Sequence, residues 1–142
     1  VHNYVDTADG LQKLRGSKYV RSRMGNSYQK AKEFLDEGKT VYFSGTPCQI
    51  AGLKAFLKKD YDNLITQDVI CHGSPDPKVW RKYIDYIQSK SNNSAENFFF
   101  RDKTTGWRNY SISIDFINGN RLTQKASENL YMKGFLKNIY LC

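Results

Sequence analysis

No Cys-x-x-Cys pair occurs in this chain of 142 residues, and its three cysteines, Cys48, Cys71 and Cys142, keep no regular spacing. The first absence excludes a zinc or iron–sulfur site completed by adjacent pairs. The odd, irregular count excludes a secreted disulfide framework. Retained thiols fit a reducing compartment, so a cytoplasmic protein is expected. No apolar run approaches the roughly 20 residues that span a bilayer, and no charged-then-apolar leader is present, so no membrane span is expected. Acid is missing from residues 10–32, which carry Lys13, Arg15, Lys18, Arg21, Arg23, Lys30 and Lys32 in a chain of net charge +8. Such a stretch is either a solvated basic face or an attractor of polyanions. No recognised nucleic-acid motif accompanies it, so nucleic acid is not expected as a partner.

Proline is confined to three positions, and two of them, Pro47 and Pro77, follow Thr46 and Asp76. A capping residue before an N1 proline predicts a helix start at each place. The first helix carries Ile50, Leu53, Phe56 and Leu57; the second carries Trp80, Tyr83, Ile84 and Ile87 at helical spacing. Residues 40–44 and 64–70 read as buried strands preceding these helices. An earlier helix is expected from Asn26 or Ser27 to Gly38, with a short one over residues 7–14, and residues 1–5 and 17–22 read as strands. Beyond the polar break at residues 89–94 the pattern becomes β-rich. Residues 98–100, 110–117 and 121–123 read as strands, with Asn118-Gly119 as a hairpin turn. A closing helix is expected from Ser127 and Glu128 through Leu130, Phe135, Leu136 and Ile139. The fold class is therefore α/β: a three-layer body with a parallel sheet over about residues 1–90, then a β-rich extension and a closing helix over about residues 91–142. The chain starts at Val1 and ends just after an apolar run, which we read as one part of a longer protein.

The most informative stretch is Gly45-Thr46-Pro47-Cys48-Gln49-Ile50-Ala51-Gly52, answered by Ile70-Cys71-His72-Gly73. Each cysteine falls where a strand meets a loop, and the first also opens a helix. A thiolate placed there faces unpaired N–H groups and the positive end of the helix dipole, a setting used for metal ligands and redox thiols. Ligands of open parallel sheets bind at the carboxyl ends of the strands, and Gly45 and Gly73 let a backbone approach one closely. The residues alone predict a cofactor or cluster site at this edge. They leave open that each cysteine is a small buried hydrophobe, that Cys48 and Cys71 form a disulfide, and that His72 is a capping histidine.

These motifs, with Asp68-Val69-Ile70-Cys71-His72-Gly73-Ser74-Pro75, Lys78-Val79-Trp80, Gly16-Ser17-Lys18-Tyr19-Val20, Phe100-Arg101-Asp102-Lys103 and Gly106-Trp107, resemble the coenzyme F420 hydrogenase/dehydrogenase beta-subunit family in its C-terminal region. The resemblance runs from about Leu11 to Leu141. It implies an iron–sulfur flavoprotein, an electron-transfer oxidoreductase carrying FAD and a [4Fe-4S] cluster in the full-length protein, with F420 as a candidate substrate. Cys48 and Cys71 match family cysteines and are expected as cluster ligands, the remaining ligands lying outside this chain; the role of Cys142 is left unassigned. The resemblance also implies cofactor-binding roles for Ser17, Lys18, Tyr19, Gly45, Thr46, His72 and Gly73. Lys18 would face a phosphate or the anionic reduced flavin, Tyr19 would pack on the ring or in the core, and Thr46 would hydrogen-bond the flavin edge. The expected partners are a redox protein or another subunit and a soluble electron-carrying coenzyme. Two alternatives stand beside this reading: a reductase of the same family acting on a substrate other than F420, and a non-catalytic partner-binding module retaining the fold. Taken alone, the fragment is expected to be open to an apo state.

Overall fold

The computed structural model describes residues 2–71 and 73–137. Their order is α1 (Leu11–Leu14), α2 (Ser27–Asp36), β1 (Val41–Gly45), α3 (Pro47–Leu57), β2 (Leu64–Asp68), α4 (Pro77–Ser91), β3 (Ala95–Asp102), β4 (Ser111–Phe116), β5 (Arg121–Lys125) and α5 (Leu130–Leu136). Helices and strands are mixed throughout, which is the expected α/β class. The chain divides into two compact units, Val1–Asp6 with Ser22–His72, and Thr7–Arg21 with Gly73–Cys142.

In the first unit β1 and β2 pair in parallel, Val41 opposite Leu64 through Gly45 opposite Asp68. Helix α3 makes the crossover, as a parallel pair requires. Phe43 of β1 joins Ala31 and Leu35 of α2 and Ile50, Leu53 and Leu57 of α3 in one core. Strand alternation turns Tyr42 and Ile65 outward, where both are exposed. Phe56, expected on the buried stripe of α3, is also exposed. The parallel sheet has two strands among the described residues. Residues 2–5 run without sheet pairing: the His2 N–H bonds the Arg23 carbonyl at 2.8 Å, and its ring stacks on Phe43 at 4.9 Å.

The second unit is built on an antiparallel sheet in the order β3-β4-β5. Central strand β4 turns Ile112, Ile114 and Phe116 into a core with Tyr83 and Ile87 of α4 and Tyr131, Met132 and Phe135 of α5. The expected hairpin turn lies between β4 and β5, with Gly119 at φ +84°, a left-handed conformation that glycine adopts at little cost. Helix α4 starts as predicted: Pro77 is at N1 and the Asp76 carboxylate accepts the Lys78 N–H at 2.6 Å.

Two further expectations change, besides the strand expected over residues 1–5 and the buried Phe56. Residues 17–22 form no strand. Tyr19 and Val20 pack instead on the α4–α5 core, and the Tyr19 carbonyl accepts the Tyr131 hydroxyl at 2.6 Å. Helix α5 starts at Leu130, later than Ser127 and Glu128 predict, because the Asn129 side chain caps it by accepting the Met132 N–H at 3.1 Å. That start aims Tyr131, Met132 and Phe135 inward and leaves Leu130 61% exposed. Ile139, also expected in this helix, lies outside the described residues.

Candidate functional site

Almost every residue of the Gly45–Gly52 stretch is fixed by a local constraint. Thr46 is extended at the N-cap of α3, Pro47 occupies N1, and the Gln49 side chain turns back so that its Oε1 accepts the Thr46 N–H at 3.0 Å. This is a capping box, which satisfies backbone donors left over at a helix start. Gly45 makes room for it: a Cβ there would meet Gln49 Oε1 at 3.0 Å and Gln49 Cβ at 3.2 Å. The other end of the same amide donates to Ser22 Oγ at 2.9 Å. The Tyr28 hydroxyl donates to the Gln49 carbonyl at 2.9 Å, tying α2 to the first turn of α3. Ile50 and Leu53 are buried in the core.

Cys48 is the exception. It sits in the first turn of α3 as an exposed free thiol, its Sγ 3.1 Å from Thr46 Oγ1. A hydroxyl at that distance can donate to a thiolate. The Tyr28 phenol is pushed above its usual range first by burial and second by the negative charge Cys48 would carry, which places the thiol within electrostatic reach of that hydroxyl. Cys71 is exposed as well. Exposure removes the reading of these cysteines as small core hydrophobes, since such residues are among the most buried of all.

The sheet register relates the two cysteines. Gly45 and Asp68 are opposite residues, and the Val69 N–H continues the pairing to the Gly45 carbonyl at 2.9 Å. Cys48 comes three residues after Gly45, and Cys71 three after Asp68. Both cysteines therefore follow the carboxyl edge of the parallel pair at equal offsets in sequence. Gly45 and Thr46 belong to that edge. Soft thiolates suit an iron–sulfur cluster, and two on one edge fit part of a ligand set. Among the described residues no group of three or more His, Cys, Asp or Glu side chains is placed to hold a metal ion.

The other expected site residues fall in the second unit or outside the described residues. His72 and Cys142 lie outside the described residues. Gly73 has φ +119°. Ser17 and Lys18 line a groove of about 650 Å³. The Lys18 ammonium donates to the carbonyls of Leu14, Arg15 and Gly16 at 3.1, 2.9 and 3.2 Å, closing the end of α1. The Tyr19 ring packs against Phe135 at 4.7 Å and edge-on to Phe100 at 5.9 Å. The same groove is lined by Arg101, Lys103 and Arg121, which were not among the expected site residues. Their signal in the sequence was a second basic cluster far along the chain, which only the folded sheet brings beside Ser17 and Lys18.

No helix among the described residues is long and apolar enough to cross a membrane. Neither the curated proteins nor the solved structures contain a match to the chain. A family does match over residues 38–133: the C terminus of the beta subunit of coenzyme F420 hydrogenase/dehydrogenase. That span takes in the chain from β1 through β5 and both edge cysteines, and leaves Ser17, Lys18 and Tyr19 outside it. The chain belongs to this family.

Proposed function

We propose that this member of the F420 hydrogenase/dehydrogenase beta-subunit family is the electron-transfer domain of a flavin- and iron–sulfur-dependent oxidoreductase, and that Cys48 and Cys71 are cluster ligands in it. One observation carries the proposal. The residues around Cys48 are locked by a capping box, a helix–helix hydrogen bond and two close glycine contacts, while the thiol itself is exposed at the same edge as Cys71. A scaffold this constrained around a side chain without a packing role is what a ligand position requires.

When bound, the flavin would exchange hydride for single electrons and the cluster would carry the single electrons. The chain's own residues prepare the edge. Thr46 Oγ1, 3.1 Å from Cys48 Sγ, sets a hydroxyl beside the proposed ligand sulfur. Gly45 admits the Gln49 side chain that closes the capping box beside it. Ser17, Lys18 and Tyr19 enter the flavin assignment with altered roles: Lys18, tied to three carbonyls, would contribute charge rather than a free donor, and Tyr19 packing beneath the segment. Other subunits or a soluble coenzyme would supply and receive the electrons, in a reducing compartment such as the cytoplasm.

The experiment is anaerobic purification of the full-length protein, followed by a visible spectrum and assays of iron, acid-labile sulfide and flavin. Cys48→Ser and Cys71→Ser are expected to lose iron, each without unfolding the domain. Full iron content in both variants, or a colourless product after reconstitution, would overturn the assignment. Reduction assays with F420, nicotinamides and quinones then separate an F420-linked enzyme from a family member acting on another substrate.

A further inference from the structure

The groove of the second unit has chemistry that the redox reading leaves unused. Its floor is the Phe98–Phe100 segment of β3, an edge strand of its sheet. Lys13 and Arg15 line it together with Arg101, Lys103 and Arg121. The carboxylate in the lining, Asp102, is already engaged: it accepts the Ser113 hydroxyl at 2.5 Å and the Thr104 N–H at 3.0 Å. The groove is therefore strongly cationic, and its apolar floor is open, with Phe99 43% exposed.

The cations are held in place before any ligand arrives. The Arg101 guanidinium lies 4.6 Å from the Tyr110 ring centre, and the Lys103 ammonium 3.9 Å from that of Trp107, which is itself 67% exposed. Arg121 lies 5.0 Å over Phe99 and is gripped by the Asp115 carboxylate at 2.5 and 3.1 Å. Cations fixed on aromatic faces lose less conformational freedom when they meet a carboxylate.

This arrangement selects among polyanions. A nucleic acid would stack successive bases on a run of exposed rings, but Phe99 is the one exposed ring among the described residues of the groove lining, and Arg121 already lies over it. A phosphate site gathers backbone N–H groups and cations on one point. Here Arg101 lies over Tyr110, Lys103 over Trp107, Lys18 on three carbonyls and Arg121 on Asp115, so the charge is spread along a strip, and α1 turns its carbonyl end toward Lys18. Addition of a peptide strand to β3 is disfavoured by two register breaks, between Ala95 and Asn97 and between Phe99 and Asp102. What remains is an exposed aromatic, Phe99, rimmed by arginine and lysine, with the exposed Trp107 beneath the lining residue Lys103, the make-up of a protein-docking surface.

We propose that this groove docks an acidic surface of a partner protein, with Asp and Glu side chains received by Lys13, Arg15, Arg101 and Lys103 around Phe99 and Trp107. The groove shares Ser17 and Lys18 with the flavin assignment, but the test below reads polyanion binding and not iron or flavin content, so the two readings fail separately.

The test titrates the purified protein with poly-L-glutamate, inorganic pyrophosphate and oligo(dT), at low and high salt, by calorimetry and tryptophan fluorescence. Poly-L-glutamate is expected to bind, to perturb tryptophan emission, and to be released by salt. Arg101→Glu/Lys103→Glu and, separately, Lys13→Glu/Arg15→Glu should each weaken it about tenfold. Lys82→Glu/Lys137→Glu, an equal charge change away from the groove lining, should leave it within about twofold. Lys13 on the short helix α1 and Arg15 just after it are both exposed, so a folding defect in the first double variant does not remove the test. Equal weakening by the control, absence of poly-L-glutamate binding, or tighter groove-dependent binding of pyrophosphate or oligo(dT) would each overturn the proposal.

Discussion

The Tyr28 hydroxyl occupies the space that a side chain on Gly52 would need: a Cβ there would lie 2.7 Å from the phenol oxygen. The close approach lets that hydroxyl reach the Gln49 carbonyl and hold the first turn of α3, and Cys48 with it, against α2. Two effects oppose each other at Gly52→Ala. Alanine in a helix interior is favoured over glycine by about 1 kcal/mol, whereas displacing the phenol forfeits a hydrogen bond worth about 1 kcal/mol and strains the contact. Gly52→Ala is therefore expected to be neutral or destabilising in the native background and stabilising by about 0.5–1 kcal/mol once Tyr28→Phe has removed the hydroxyl. Denaturant unfolding of the four proteins in this cycle checks it; equal effects in both backgrounds would show that the contact does not matter.

The start of α3 was legible in the sequence because each of its signals is local. Thr46, Pro47 and Gln49 act on backbone groups within one turn, and so they placed Cys48 correctly. The same local logic failed at α5, where Ser127 and Glu128 resemble a helix start. There the tertiary partners of Asn129 decide which residue caps. Residues 17–22 alternate like a strand, yet alternation records which side chains are buried and not what buries them; Tyr19 is satisfied by Phe100 and Phe135 instead of a neighbouring strand. The groove was not legible, since it joins Lys13 of α1 to Arg101, Lys103 and Arg121 of the sheet region, residues far apart in the chain whose meeting no short window of sequence encodes.

Exposure of both edge thiols makes a chemical prediction. In the metal-free native protein, Cys48 and Cys71 should react with iodoacetamide at rates within about an order of magnitude of those in the denatured chain, because burial does not shield them. Reconstitution with iron and sulfide should protect both together. Peptide mass spectrometry after timed quenching reads each site separately. Protection of one cysteine alone would overturn the proposal that both ligate one cluster.

Asp102 links the sheet to pH. Its carboxyl is held below the usual carboxylate range, first by the Ser113 hydroxyl and then by the Thr104 N–H, and its side chain is 11% exposed. A carboxyl whose folded-state pKa is depressed adds stability above its unfolded-state value, and that stability is lost as pH falls through the folded-state value. Ser113→Ala removes the largest cause and should cost about 2 kcal/mol at neutral pH, the size of a hydrogen bond to a charged group. The cost should shrink as the medium is acidified below the ordinary carboxylate range. Urea unfolding of both proteins across that range measures it, and a cost that stays constant with pH would remove Ser113 as the source of the depression.

Asn129 is fully buried and serves three partners at once. Its carbonyl oxygen caps α5 through the Met132 N–H, and its amide donates to the Tyr83 hydroxyl at 2.6 Å and to Gln124 Oε1 at 3.0 Å. Loss of the cap costs about 1 kcal/mol, and each buried partner left unsatisfied adds about 1–3 kcal/mol. Asn129→Ala should therefore destabilise the second unit by about 2–4 kcal/mol, close to the upper end of single-residue effects. Asn129→Asp keeps the cap but replaces the donor to Tyr83 with an acceptor, so it should recover only part of the loss. Ser127→Ala and Glu128→Ala, the starts that sequence pattern favours, should stay within about 0.5 kcal/mol of the parent because neither side chain supports the helix. Thermal and denaturant unfolding of this set separates the two accounts: a large cost at Ser127 with none at Asn129 would restore the earlier helix start.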